Sequence, residues 1–294
     1  MANLKAIRVR IASVKSTRQI TSAMKMVSAA KLRRAQDKIV RLRPYVKKLQ
    51  EILAGLSQSL ADSEVENVYG RISEPEKILI VMVTSNRGLC GAFNANVIKE
   101  TRRIISEQYA DQYRKGNLKI LAIGKKGYDY FRKQQVKLLP EQNNLLNNIS
   151  FENIAAVADA IMASFVSGEY DRVEIVYNQF KNAAVQILTN EMFLPVSAGP
   201  KGKASAEPVD YIYEPTPEDI VKDLIPKSLK IQFYKAVLDS FVAEHGARMT
   251  AMHKATDNAN SMVRELTLQY NKARQASITN QILEVVSGAE ALRG

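Results

Sequence analysis

The sequence predicts an α/β protein: a central, Rossmann-like α/β domain flanked by two long helices that pair as an antiparallel coiled coil. Three observations predict it. Residues 1–60 keep apolar or small residues at alternating steps of three and four. Residues 217–294 carry a second such seam, with no proline after Pro226 and, up to Leu292, only Gly246 and Gly288 as glycines. Residues 61–216 instead alternate β-rich apolar runs with helical spacing, the pattern of strands and helices layered on one sheet.

The N-terminal seam reads Leu4, Ile7, Ile11, Val14, Arg18, Thr21, Lys25, Ser28, Leu32, Ala35, Ile39, Leu42, Val46, Leu49, Leu53, Leu56 and Leu60. Globular helices usually run about 8–20 residues, so a register held this long marks a supercoiled one. Pro44 is expected to kink this helix rather than end it. Arg18, Thr21, Lys25 and Ser28 interrupt the apolar seam, and Ile20, Met24 and Val27 form a displaced stripe beside it. Two compatible readings follow. The register drifts locally, or a second protein takes this face.

In the middle, Lys77–Thr84 reads as a buried strand, and SNRGLCGAF as a glycine-bearing turn. A helix over about 94–113, a strand over 118–123 and a helix over about 126–134 follow. After the polar loop PEQNNLLNN comes a helix over about 151–166, capped by Ser150. Strands 172–180 and 184–194 meet at Lys181-Asn182 as a hairpin, and residues 197–209 read as a surface loop. Thr216-Pro217-Glu218-Asp219 is a helix start: cap, proline in the first turn, then acids. The C-terminal seam runs Leu238, Val242, His245, Met249, Met252, Thr256, Ala259, Val263, Leu266, Tyr270, Ala273 and Ser277. From Asp223 to Leu292 that helix would be about 105 Å long.

Composition narrows the function. The net charge of +12 predicts an acidic partner. Residues 1–50 hold fourteen Lys and Arg against one acid, Asp37, whereas residues from 218 onward hold ten against nine. The basic excess therefore belongs to the N-terminal helix, where it has few acids at i,i+4 to offset repulsion. The single cysteine, Cys90, excludes an intramolecular disulfide. No apolar run is long enough to span a bilayer as a helix. The basic N-terminus resembles a transit peptide superficially, but its heptads continue to residue 60, so it reads as mature helix.

The turn Arg87-Gly88-Leu89-Cys90-Gly91 follows a strand and precedes a helix, where phosphate loops sit. It matches neither GxxxxGK[ST] nor GxGxxG; its glycines are expected to serve backbone geometry. Cys90 as a nucleophile needs a base, and the histidines His245 and His253 both lie in the C-terminal helix. No cluster has metal-ligand spacing, and no catalytic constellation emerges.

Three separated motifs carry a family resemblance. Ile11-Ala12-Ser13-Val14 with Ile20-Thr21-Ser22-Ala23-Met24-Lys25-Met26-Val27 resembles the first helix of the gamma subunit, or central stalk, of F-type ATP synthases. Arg87-Gly88-Leu89-Cys90-Gly91 is similar to that family's central motif. Tyr270-Asn271-Lys272-Ala273-Arg274-Gln275-Ala276-Ser277-Ile278-Thr279, with Glu284-Val285-Val286-Ser287-Gly288-Ala289, resembles its C-terminal signature. The sequence departs from the family's pattern at Asn86, commonly aspartate, and at Gln281, frequently glutamate.

The resemblance implies a non-catalytic rotor, present as a single copy. Its two helices enter a ring of alternating alpha and beta subunits, and its head binds the epsilon subunit and the membrane c-ring. Proton-driven rotation of the c-ring turns this shaft and forces the beta subunits through changing nucleotide affinities. ATP, ADP and magnesium belong to the partner subunits, and no cofactor is expected on this chain. By the same resemblance Met24, Lys25 and Arg87 face acidic beta-subunit levers, Arg274 and Gln275 meet the catch loop, and Arg248 supports the shaft. Ile282, Val285 and Val286 run in an apolar bearing, and Tyr211, Tyr213 and Glu214 contact epsilon or the c-ring. The expected location is peripheral, on the cytoplasmic side of a bacterial inner membrane.

Two other classes stay open on the residues alone. A basic coiled-coil arm could bind nucleic acid, although it has little aromatic interleaving. A nucleotide enzyme could use the α/β head, which fold alone cannot decide.

Overall fold

The computed structural model describes residues 4–59, 68–71, 73–134, 136–196 and 217–292. Leu60, half of the connection 61–76, the loop 197–209 and the helix cap Thr216 therefore lie outside the described residues. The elements run α1 (Leu4–Ser59), β1 (Ile78–Val83), α2 (Phe93–Glu107), α3 (Ala110–Arg114), β2 (Leu118–Ile123) and α4 (Lys125–Phe131). They continue with β3 (Lys137–Leu138), α5 (Phe151–Val166), β4 (Arg172–Phe180), β5 (Gln186–Leu194) and α6 (Pro217–Ala291). These fall into two compact units: residues up to Ala29 with those from Arg248 onward, and Ala30–Ala247.

The larger unit is built on a five-stranded sheet of order β3-β2-β1-β4-β5. The first four strands are parallel and β5 runs antiparallel to β4. β1 is central and every residue in it is buried, as a strand covered on both faces must be. Leu79, Val81 and Val83 point to one face, where α5 and the α6 residues Leu229, Phe233, Ala236 and Val237 cover them. Ile78, Ile80 and Met82 point to the other, under α2 and α4. α6 is sandwiched here, because Ile231 packs against Val46 and Leu49 of α1. Hence α6 is buried almost all round from Ala236 to Arg248.

The head differs from its sequence reading in detail. The helix expected over 94–113 breaks at Tyr109, which turns inward so that its hydroxyl donates to buried Glu174. That carboxylate also accepts from Asn190 at 2.8 Å. Burial, and then the Glu174 hydrogen bond, push the Tyr109 phenol up to about 12. The polar loop PEQNNLLNN holds a 3-10 turn, Asn143–Leu146, that buries Leu145 and Leu146. The two-residue strand β3 is too short to show a period.

Both prolines are absorbed. α1 continues through Pro44 and α6 through Pro226. Gly246 is needed for packing: a β-carbon there would lie 3.3 Å from the Ala183 carbonyl oxygen in the β4–β5 turn. Its helix-propensity cost, about 1 kcal/mol, admits that close approach.

Candidate functional site

In the smaller unit α1 and α6 pair antiparallel in one register. The Arg8 guanidinium donates to the Tyr270 hydroxyl at 3.0 Å, and Arg18 donates to Asn260 Oδ1 at 3.3 Å. The Thr256 hydroxyl donates to Thr21 Oγ1 at 2.9 Å, and the Thr21 hydroxyl in turn donates to the Arg18 carbonyl at 3.1 Å. Lys25 Nζ stands 3.5 Å from His253 Nδ1. In every pair the two residue numbers sum to 277 or 278, so the register does not slip through the polar stretch.

This separates the two readings of the interruption. Thr21 and Ser28 are buried, and Arg18 and Lys25 are half-buried. Of the displaced stripe, Ile20 is 59% and Val27 57% exposed, while Met24 is half-buried. The seam stays in register with polar residues inside, and two of the three apolar stripe residues face outward. A polar layer of this kind fixes alignment at some cost in stability. Sequence reasoning missed His253 and Asn260 as partners. Each follows a seam residue of α6 by one position, so the antiparallel pairing itself was the signal.

α1 begins at Leu4, and in this register Leu4 stands opposite Arg274. Beyond Ser277 every described residue of α6 is exposed, including Ile282 at 58% and Val285 at 71%.

In the larger unit the Arg87–Gly91 turn is tied to itself. Ser85 Oγ donates to the Arg87 carbonyl at 2.6 Å, and Asn94 Oδ1 accepts from the Ser85 backbone N–H at 2.9 Å. The Asn94 amide also reaches Cys90 Sγ at 3.2 Å. Leu89 and Gly91 both have positive φ, 63° and 59°. Glycine at position 91 suits that conformation, as expected from the sequence, whereas Leu89 holds one that residues with a side chain rarely adopt. Cys90 is buried. Among the described residues no group of three His, Cys, Asp or Glu side chains is placed to hold a metal ion. No helix of the described residues is long and apolar enough to cross a membrane.

Comparison with known proteins decides among the readings. A family model described as ATP synthase matches residues 3–292. The chain is 56% identical to the ATP synthase gamma chain of Flavobacterium johnsoniae, over the whole of both chains. It is 45% identical to that of Chlorobaculum tepidum, again over both whole chains. The chain belongs to the ATP synthase gamma-chain family.

Solved structures agree on the fold. A chain of the Euglena gracilis mitochondrial ATP synthase, from an OSCP/F1/c-ring assembly, superimposes with a TM-score of 0.70 at 24% identity, covering 98% of this chain and 94% of that one. A chain of the Tetrahymena thermophila central stalk and c-ring gives 0.57 at 24% identity, covering 80% and 99%.

The positions marked by the gamma-chain resemblance fall in different settings. Met24 and Lys25 are half-buried in the polar stretch, and Arg248 is buried in α6. Arg274 and Gln275 are exposed where the pair ends, and Ile282, Val285 and Val286 are exposed beyond it. Arg87 is exposed on the head turn. Tyr211, Tyr213 and Glu214 lie outside the described residues. Asn86, one of the departures from the family pattern, uses both halves of its amide. Its Nδ2 donates to the Asn143 carbonyl at 2.9 Å, and its Oδ1 accepts from the Lys125 backbone N–H at 3.1 Å.

Proposed function

We propose that this gamma-family chain is the rotary shaft of a proton-translocating ATP synthase and is itself non-catalytic. It transmits torque between a membrane c-ring and a catalytic ring of alpha and beta subunits. Segments 1–60 and 217–294 act as the shaft, and 61–216 as the head that meets epsilon and the c-ring. One copy serves each complex, peripheral to a bacterial inner membrane on its cytoplasmic side.

The observation that carries this reading is the polar seam. A shaft must be stiff, hence a long supercoiled pair in one register. It must also present a face to changing neighbours without adhering at one angle. Hydrogen-bonded polar residues inside, with Ile20 and Val27 left outside, meet both needs. Met24, Lys25 and Arg87 then face acidic levers of the beta subunits, Arg274 and Gln275 the catch loop, and Arg248 supports the shaft. Ile282, Val285 and Val286 turn in an apolar bearing, and Tyr211, Tyr213 and Glu214 contact epsilon or the c-ring.

The chain itself binds no nucleotide in this reading; ATP, ADP and magnesium stay with the partners. The turn after β1 supports that. The Ser85 hydroxyl and the Asn94 side chain bond to its backbone, and a leucine occupies one of its left-handed positions where a phosphate loop uses glycine.

The test is ATP hydrolysis by alpha and beta subunits reconstituted with and without this chain. A stable complex with multi-site turnover only when the chain is present is the expected result. Subunits that ignore it, together with tight salt-sensitive binding to RNA or DNA, would replace the shaft by a basic nucleic-acid arm.

A further inference from the structure

Of the polar pairs that hold the register between α1 and α6, one can change its chemistry. Arg18–Asn260 and Thr21–Thr256 join groups of fixed charge. Lys25 instead meets a histidine, and it does so at an atom that a second group also reaches. Lys25 Nζ stands 3.5 Å from His253 Nδ1. The Asp257 carboxylate, one turn further along α6, stands 3.5 Å from that same nitrogen. An ammonium has protons to give and no lone pair, so it bonds to Nδ1 only where Nδ1 accepts. A carboxylate has lone pairs and no proton, so it bonds to Nδ1 only where Nδ1 carries a hydrogen. The two contacts exclude each other, and the proton on the ring decides between them.

We propose that His253 is a proton-operated tether for Lys25. The neutral ring accepts from the ammonium and holds it to α6. The protonated ring gives its Nδ1–H to Asp257 and repels Lys25, leaving the ammonium free for an acidic partner. The proton comes from solvent, to which the His253 and Asp257 side chains are 57% and 61% exposed. Histidine is the residue type whose ordinary charge change falls between about pH 5 and pH 8. All three residues belong to the smaller unit, which α1 and α6 build. From α1 the ring meets Lys25. The next bases of that helix, Arg18 and Lys31, lie about two turns away, and Arg18 is engaged by Asn260. From α6 the charged residues within about a turn are Lys254 and Asp257, of which Asp257 is the one within ion-pair distance.

The tether acts where the polar stretch meets solvent. Lys25 is half-buried, and Ile20 and Val27 beside it face outward. In the shaft reading, on which this step rests, Lys25 faces acidic beta-subunit surfaces. An ammonium bonded to the ring of its own shaft is withheld from them, and one repelled by the ring is offered to them. Acid therefore strengthens the contact, while Asp257 takes up the charge of the histidine. Asn260 and Thr256 give Arg18 and Thr21 no such response, because neither side chain titrates near neutral pH.

The full chain is titrated from about pH 5 to pH 8 with the His253 ring followed by NMR. The other histidine, His245, is buried and belongs to the larger unit. Lys25→Gln removes the ammonium, so the ring should hold its proton more tightly and its midpoint should rise. Asp257→Asn removes the carboxylate, so the midpoint should fall. Each shift is expected to match roughly a two- to fivefold change in proton affinity, the size that exposed charge pairs carry. The Lys25 Cε resonance should inflect at the ring's midpoint in the wild type and stay level in His253→Gln. Midpoints that fail to move in opposite directions, or a Lys25 signal indifferent to the ring, overturn the tether. The partner is tested apart, with reconstituted alpha and beta subunits. Their affinity for the wild type relative to His253→Gln should rise roughly two- to fivefold between about pH 8 and pH 6. A flat ratio beside the expected midpoint shifts would refute the acidic partner at Lys25 and not the tether.

Discussion

A β-carbon on Gly124 would lie 2.2 Å from the Thr84 carbonyl oxygen, and its φ of 103° is one that other residues rarely adopt. This glycine lets the turn after β2 cross the end of β1, where Thr84 Oγ1 also accepts from the Gly127 N–H at 3.0 Å. Gly124→Ala is therefore expected to cost at least about 3 kcal/mol in urea unfolding, through backbone clash and strain together. Asn86 is a milder case. An aspartate there keeps the bond from the Lys125 N–H but faces the Asn143 carbonyl and Asn147 Oδ1 with a second acceptor instead of a donor. Asn86→Asp should destabilise this half-exposed site by about 1 kcal/mol at neutral pH. The loss should shrink in acid as the carboxyl gains a proton. Equal stability at pH 7 would mean the turn rearranges to suit either residue.

Among elements, the paired helices separate holding from contacting. The interhelical hydroxyl pair Thr21–Thr256 is expected to show a coupling of about 0.5–1 kcal/mol in a double-mutant cycle with valine. Zero coupling would remove it as a register contact. The end of α6 should behave in the opposite way. Residues past Ser277 are exposed and lie beyond the start of α1 in the pairing register. Truncation after Gln275 should therefore leave the thermal midpoint of the isolated chain within about 2 °C, since few buried contacts are lost. In the reconstituted complex the same truncation should weaken coupling between hydrolysis and rotation. A large fall in the midpoint would show that these residues fold against the chain itself.

For the whole molecule, the charge of +12 is a statement about association. With fourteen bases against one acid, residues 1–50 should dominate encounter with the acidic partner that the proposed shaft function calls for. The association rate with the reconstituted ring should fall by about tenfold or more between 50 and 300 mM salt, with a smaller change in dissociation. A variant carrying Arg33→Gln, Arg34→Gln and Arg41→Gln should flatten that dependence. These three side chains are exposed, so the folded chain should lose little stability. An unchanged salt slope would place the electrostatic contact elsewhere.

The sequence by itself determined the two seams, the mixed sheet and its hairpin, and the family. A supercoil is a repeating local pattern, so each position carries its own share of the signal. Every seam residue with a described side chain, from Leu4 to Leu49 and from Leu238 to Ser277, is buried or half-buried. It could not say whether the polar stretch shifts the register. That depends on whether Arg18, Thr21 and Lys25 find partners on the other helix, and only the antiparallel alignment supplies Asn260, Thr256 and His253. Nor could it place Tyr109 on Glu174 or mark Asp239 as buried. In the heptad pattern Asp239 is simply the residue after Leu238. Its environment exists only because the sheet hairpin and α1 close on opposite sides of one helix, and a one-dimensional period contains no information about two surfaces meeting.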